Sequence, residues 1–237
     1  MVFTRFHLES WLACVTALGV AEQYRAEAIA TFHRLNQVYR QPWRAYHTPQ
    51  HIEACLVWCA KWRSEWHNWA AVEVAIWFHD AVYLPHRTDN ETRSAQWAAA
   101  VLQRWQVEEV VRSWVVSAVL ATQHRTTQHR TTQHQNQTPE TADRHQLRDT
   151  PLDHDLARML DLDLSILAAS PHEFSQYEAA IRREYASVSD SAFRVGRLAV
   201  LRSLWERDRL FQSPIGIACF EVRARQNLMN AIARLTV

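Results

Sequence analysis

The chain has 237 residues, of which 48% are hydrophobic and 22% are charged, and its formal net charge at pH 7 is +1. This length and composition allow one large domain with a substantial core, and a charge this close to zero excludes a general electrostatic attraction to nucleic acid or to an anionic membrane. The chain has only three glycines, which argues against a turn-rich β fold, because glycine supplies the positive φ angles of many tight turns.

Apolar residues recur at helical spacing along most of the chain. The predicted helices cover approximately residues 4–18, 21–39, 49–62, 68–79, 90–105, 108–122, 155–167, 171–187, 190–207 and 214–235. The third helix has the clearest start, because Thr48 is a favourable N-cap residue and Pro49 suits the first helical position, where its missing N–H is not needed. We therefore predict an all-α fold, a single domain over residues 1–237 with about nine or ten helices.

The composition changes abruptly at residue 123. The pentapeptide Gln-His-Arg-Thr-Thr occurs twice in succession over residues 123–132 and begins again at residue 133, and the segment 123–151 contains almost no apolar residues. A five-residue period matches neither a helix nor a strand. We predict a disordered or loosely ordered insertion rich in His, Gln and Thr, with metal buffering by its histidines as a weaker alternative.

His79 and Asp80 directly follow an apolar run, Ala70–Phe78, that is typical of a buried helix. A buried imidazole and a buried carboxylate each need a partner, because desolvating them without one is costly. A metal ion would serve both groups, although an ordinary histidine beside a helix-terminal aspartate is the simpler interpretation of the dipeptide alone. Earlier in the chain, His51 falls in the first turn of the predicted third helix.

Asp161 and Asp163 lie in an apolar segment in which acidic side chains need an explanation. Combined with His51, His79 and Asp80, one of them completes a set of two imidazoles and two carboxylates at the ends of separate helices. Such a set leaves coordination positions open and favours Mn²⁺, Mg²⁺, Fe²⁺, Co²⁺ or Ni²⁺ over a closed structural zinc site. A divalent ion of this kind lowers the pKa of water and polarises a phosphoryl oxygen, which is the chemistry of phosphate-ester hydrolysis.

Five stretches resemble, in this order, the HD superfamily of metal-dependent phosphohydrolases, and in particular the bacterial group known as predicted HD-superfamily phosphohydrolases. The stretches are Tyr46-His47-x-x-x-His51, Ala75–Tyr83, Asp89–Ala95, Leu160–Leu167 and Arg182–Tyr185. The resemblance implies an HD-type helical bundle and a metal site. The implied ligands are His51, His79, Asp80 and Asp163, the last preferred to Asp161 because the Leu-Ser after it fits the superfamily pattern better.

The Tyr-His-x-x-x-His block is also similar to that of cyclic-nucleotide phosphodiesterases, which implies that His47 is the general acid for the leaving oxygen and that His51 binds metal. A histidine near its ordinary pKa suits that role at neutral pH. Glu91 resembles an acidic residue of related hydrolases that orients water or contacts a second metal, but a charge that stabilises a helix N-terminus explains it equally well. His124 lies near the place of a further ligand, next to the repeat.

Four arginines are candidate contacts for the substrate phosphate, because a guanidinium group binds phosphate oxygens bidentately. They are Arg44, Arg93, Arg182 and Arg183. For each of them, a salt bridge or a solvated surface position is an equally good explanation, so the assignment stays open at this point.

These expectations describe a cytoplasmic enzyme that hydrolyses a small phosphorylated substrate, a phosphomonoester or a phosphodiester such as a nucleotide. The first ten residues show no secretory signal, and no apolar run reaches the roughly 20 residues of a membrane span, so we expect no membrane association. The alternative is a catalytically silent helical module that keeps the metal for stability and binds a protein partner. A nucleic-acid hydrolase is disfavoured by the near-neutral charge, and a homo-oligomer is left open.

Overall fold

The computed structural model describes residues 5–123 and 150–236, and within these ranges it consists of helices and loops without a β-strand. The ten α-helices are α1 (Leu8–Ala17), α2 (Arg25–Tyr39), α3 (Pro49–Lys61), α4 (Trp69–Phe78), α5 (Asn90–Arg104), α6 (Glu109–Ala121), α7 (Pro151–Asp163), α8 (Pro171–Glu184), α9 (Asp190–Trp205) and α10 (Pro214–Thr236). The predicted all-α class is confirmed. The predicted insertion at residues 123–151 falls almost entirely outside the described residues.

Helix α3 begins at the predicted residue but without the predicted cap, whereas α1, α2 and α7 begin at Leu8, Arg25 and Pro151, about four residues from their predicted starts. Pro49 is the first residue of α3 and Thr48 has the extended backbone of an N-cap, but the Thr48 side chain makes no capping hydrogen bond. Its hydroxyl instead donates to the main-chain oxygen of Tyr46, 3.3 Å away. The prolines that begin α7 and α8 are preceded by conventional caps, Thr150 and Ser170, whose side chains accept from main-chain N–H groups.

The predicted helix over 155–167 is divided in the structure. The α-helix α7 ends at Asp163, and residues Leu164–Ala168 continue as a tighter 3₁₀ helix, a common way for an α-helix to end. Asp163 therefore lies at the C-terminal end of α7, close to the turn, rather than in the middle of a longer helix.

Helix α4 lies at the centre of the fold. Every residue from Ala70 to Phe78 is buried, and α4 packs against α1, α3, α5, α6 and α7. Apart from Glu73, which pairs with Arg63, these buried residues are apolar, and a helix that is apolar on nearly all sides must be covered on all sides. Its C-terminal end is held further by Tyr39, whose hydroxyl donates to the main-chain oxygen of Trp77 at 3.0 Å. The residues that follow, beginning with His79, are thus fixed to the best-packed part of the molecule.

Asp161 fixes the start of α10. Its carboxylate accepts from the main-chain N–H groups of Gln212 (2.6 Å) and Ser213 (2.8 Å) and from the Ser213 hydroxyl. Gly216 is needed beside it, since a Cβ at that position would lie 2.1 Å from Asp161 Oδ2. One of the two acidic residues in the apolar segment is therefore explained by packing between α7 and α10.

Candidate metal centre

Four side chains from three parts of the fold converge at the end of α4. His51 comes from the first turn of α3, His79 and Asp80 directly follow α4, and Asp163 is the last residue of α7. The Nε2 atoms of His51 and His79 are 3.1 Å apart. Asp80 Oδ2 lies 3.0 Å from His79 Nε2, and Asp163 Oδ1 lies 3.3 Å from His51 Nε2.

The donor atoms are spaced as ligands of a single ion are spaced. Ligand atoms about 2.1 Å from an octahedral divalent ion lie about 3.0 Å apart along an edge of the octahedron. His51, His79 and Asp163 together form a group that could hold a metal ion. Asp80 Oδ2 is within 3.5 Å of both imidazole nitrogens but is not a member of that group. The residues His51, His79 and Asp163 could therefore hold a metal ion here.

One of the two imidazoles is held in the orientation that metal binding requires. His79 Nδ1 is 2.9 Å from the main-chain oxygen of Ile76, so Nδ1 carries a proton and donates it to that oxygen. The lone pair of Nε2 is then directed at the cluster, which is the usual arrangement of a histidine ligand and its hydrogen-bonding partner. Both imidazoles are buried, with His51 6% and His79 2% exposed.

The electrostatics of the cluster favour positive charge. Burial raises the pKa of Asp80, but the neighbouring His79 and His47 and the hydrogen bond from His51 outweigh burial and hold that pKa well below its ordinary range. Burial lowers the pKa of both His51 and His79, yet the carboxylates of Asp80 and Asp163 raise both pKa values overall. The two carboxylates therefore favour positive charge at this place, which a bound cation would supply.

His47 lies beside this cluster and is held by Glu184, the last residue of α8. His47 Nδ1 is 2.7 Å from Glu184 Oε2, and the Tyr83 hydroxyl donates to the same oxygen at 2.8 Å. The other oxygen, Oε1, accepts from the main-chain N–H groups of Ala45, Tyr46 and His47. Burial raises the pKa of Glu184, but these bonds, led by that with His47, lower it to about 2.

Sequence reasoning missed Glu184 and chose the arginines next to it. A signal was present in α8, where Phe174, Tyr177, Ile181 and Glu184 follow the 3–4 spacing of one helix face. Phe174, Ile181 and Glu184 are buried. A carboxylate on an apolar helix face indicates a buried partner, although the sequence does not identify that partner.

Glu184 is expected to make stability acid-sensitive. Its pKa falls from 4.5 to about 2 on folding, so its contribution is complete above about pH 4.5 and is lost as the pH falls from there toward 2. We expect Glu184→Gln to lower the free energy of unfolding at pH 7 by about 2–3 kcal/mol and to flatten its pH dependence in that interval, as measured by urea unfolding. The exposed Glu108→Gln is the control, and an unchanged slope in Glu184→Gln contradicts the prediction.

Arg44 is buried and contacts main-chain oxygens of residues at the centre. Its guanidinium group donates to the carbonyls of Asp80 (2.8 Å), Ala81 (3.0 Å) and His47 (3.1 Å). These bonds join the loop that carries His47 to the His-Asp pair. The structure thus gives Arg44 a part in shaping the centre, through the main chain of two of its functional residues.

The remaining candidates differ in the contacts that they make. Arg93 on α5 pairs with Asp89, the residue before that helix, and Arg182 donates to Asp190 and to main-chain oxygens after α8. Arg183 lines the cavity that His51 borders. Glu91 lies in the first turn of α5 and is not part of the group His51, His79 and Asp163. His124 lies outside the described residues.

Comparisons with family models, curated proteins and solved structures found no match to this chain. Among residues 5–123 and 150–236, no helix is both long enough and apolar enough to cross a membrane. The function is therefore inferred from the residues of the centre and of the cavity beside it.

Proposed function

We propose that the protein is a metal-dependent phosphohydrolase of the HD type, which cleaves a phosphomonoester or phosphodiester of a small molecule. The observation that carries this proposal is the convergence of His51, His79, Asp80 and Asp163, in which the imidazole Nε2 atoms lie 3.0–3.5 Å from each other and from an oxygen of each carboxylate. A packed core rarely brings two imidazoles and two carboxylates together without a function for them.

The ligand set determines what kind of ion suits the centre. Two imidazole nitrogens and two carboxylate oxygens leave positions free around a six-coordinate ion, which favours Mn²⁺, Mg²⁺, Fe²⁺, Co²⁺ or Ni²⁺ over structural zinc. Such an ion supplies Lewis acidity toward a phosphate oxygen and lowers the pKa of water. Asp80 and Asp163 offset the positive charge, and the hydrogen bond from His79 to the main chain holds one imidazole in place.

His47 is assigned the role of general acid. The ionised Glu184 accepts from Nδ1, so the proton that His47 can transfer is on Nε2. The Tyr83 ring lies against the imidazole, with ring centroids 4.0 Å apart, and limits its rotation. His47 would donate its Nε2 proton to the oxygen that leaves the phosphorus atom, a step that typically contributes about 10²–10⁴-fold to a rate.

Among the four arginines named from the sequence, Arg183 is assigned the contact with the substrate phosphate. It is exposed on α8 and lines the cavity that His51 borders. A guanidinium group at that place can pair with phosphate oxygens. Glu91 is kept as a candidate for orienting water, in the role that its sequence context implies.

The proposal is tested with p-nitrophenyl phosphate and bis(p-nitrophenyl) phosphate, each assayed with Mn²⁺, Mg²⁺, Co²⁺ and Ni²⁺ and with a chelator. We expect hydrolysis of at least one ester that requires the metal and that disappears in His79→Ala. His33→Ala is the matched control, because His33 is exposed on α2. Hydrolysis that persists in the chelator, or that is equal in the two variants, contradicts the proposal.

A further inference from the structure

The two imidazoles of the candidate metal centre are held in different ways. His79 is fixed through Nδ1 by its hydrogen bond to the main-chain oxygen of Ile76. The polar contacts that the His51 ring makes within the described part of the chain run through Nε2, the atom that faces the centre. The orientation of the His51 ring therefore depends on the rings that are packed against it.

Tyr46, in the loop before α3, is one of the rings packed against His51. The two ring centroids are 4.8 Å apart and the ring planes are inclined by 41°. The main-chain N–H of Tyr46 is held by Glu184 Oε1 at 2.8 Å. The side chains of Tyr46 and His51, however, both line a cavity of about 970 Å³. A ring that borders open space has no packing contacts on that side, so its position depends on support from the other groups around it.

Tyr177 on α8 supplies such support, and Arg197 on α9 holds Tyr177. The Tyr46 and Tyr177 ring centroids are 4.6 Å apart with an angle of 70° between the planes, which is a favourable edge-to-face arrangement. Arg197 donates from Nη2 to the Tyr177 hydroxyl at 2.9 Å, and the same guanidinium group pairs with Glu178. Arg197 is only 9% exposed. A buried guanidinium group that is bonded to two partners gives the Tyr177 ring a fixed position.

We infer that Arg197 is a positioning residue for His51, which it orients through the rings of Tyr177 and Tyr46. The inference rests on the proposed function, because it concerns the same metal centre, and deepens it by giving α9 a part in metal binding. Groups that orient a metal ligand from outside typically change metal affinity about 10–100-fold when they are removed. An effect transmitted through two rings is expected at the lower end of that range.

The test is the dissociation constant for Mn²⁺, measured by calorimetry on the full chain with the histidines of residues 124–149 replaced by glutamine. Tyr177→Phe keeps the ring and removes the hydroxyl, whereas Arg197→Met keeps an apolar stem and removes the guanidinium group. We expect each substitution to weaken Mn²⁺ binding about tenfold. The double variant should bind Mn²⁺ no more weakly than Arg197→Met, because both substitutions remove the same hydrogen bond and their effects are therefore not additive.

Arg225→Met is the matched control, because Arg225 also pairs with a glutamate and joins two helices. It pairs with Glu221 and donates to the main-chain oxygens of Trp205 and Arg207, which holds α10 to the end of α9. We expect Arg225→Met to lower Tm in the absence of metal and to leave the dissociation constant for Mn²⁺ unchanged. The visible absorption spectrum of bound Co²⁺, which depends on where the ligands lie around the ion, should change in Tyr177→Phe and Arg197→Met but not in Arg225→Met.

The outcomes separate the inference from the function on which it rests. If the wild type binds Mn²⁺ and Tyr177→Phe binds it equally well, or if the two substitutions have additive effects, Arg197 only packs α9 against α8 and the inference is wrong, while the proposed function stands. Tyr177→Phe alone decides the question if Arg197→Met does not fold. If the wild type binds no divalent ion, the inference and the proposed function are both overturned.

Discussion

Asp163→Asn is expected to abolish stabilisation by divalent metal, whereas Asp161→Asn is expected to lower the stability of the fold and leave that stabilisation intact. Asp163 Oδ1 lies 3.3–3.4 Å from the two imidazole nitrogens of the centre. An ion present at about 100 times its dissociation constant stabilises the folded state by about 2.7 kcal/mol, which in a domain of this size raises Tm by roughly 5–10 °C. An asparagine at residue 163 removes the charge on which this depends.

We expect the opposite result for Asp161→Asn, because the Asp161 carboxylate accepts hydrogen bonds from Gln212 and Ser213. An asparagine would turn an amide NH₂ toward at least one of those donors, and we expect a loss of about 2–4 kcal/mol in the free energy of unfolding. The measurement is thermal unfolding with and without Mn²⁺ for the wild type and both variants. Equal metal-induced shifts in Asp163→Asn and the wild type, or loss of the shift in Asp161→Asn, contradict the assignment of the two residues.

The second large effect is expected from His47→Asn. We expect kcat for an ester with a poor leaving group, such as an alkyl phosphate, to fall about 10²–10⁴-fold, because its oxygen must be protonated as it leaves. The loss should be much smaller for a p-nitrophenyl ester, whose leaving group departs as a stable anion. The metal content should not change, since His47 is not among the ligands. Tyr83→Phe, which removes one hydrogen bond to Glu184, should have a much smaller effect on either ester.

An equal fall in kcat on both kinds of ester contradicts a role for His47 in protonating the leaving oxygen. It would place the side chain in substrate binding or in the folding of the loop before α3. Measuring the metal content and the Tm of His47→Asn distinguishes substrate binding from loop folding, because only a folding defect lowers both the metal content and the Tm.

The helices could be predicted closely from local patterns. The apolar run Ala70–Phe78 and the proline starts at Pro49, Pro171 and Pro214 depend on residues within one or two turns, and local interactions fix these elements. The ends were less accurate, as in α7, which begins at Pro151 and gives way to a 3₁₀ helix after Asp163. Where a helix ends depends on its contacts with the rest of the fold, here the packing of residues 164–168 against α10.

The site was predictable where the chemistry was local and not where it depended on distant contacts. Asp161 and Asp163 are two residues apart, about 200° around the helix, so periodicity places them on different faces but does not identify which face meets His51. Glu184 contacts His47 across 137 positions of sequence. Arg44 has the charge of a phosphate ligand, yet the structure directs its donors to main-chain oxygens, because the loop around it needs those bonds.

The most direct test of the metal centre is elemental analysis of the full chain purified without a histidine tag, with the histidines of residues 124–149 replaced by glutamine. That replacement prevents the repeat from binding metal on its own. We expect about one divalent ion per chain, taken up with release of protons, and none in the same protein carrying Asp80→Ala. If neither protein contains or takes up Mn²⁺, Mg²⁺, Fe²⁺, Co²⁺ or Ni²⁺, the four side chains do not form a metal centre, and a helical binding module replaces the phosphohydrolase as the better account.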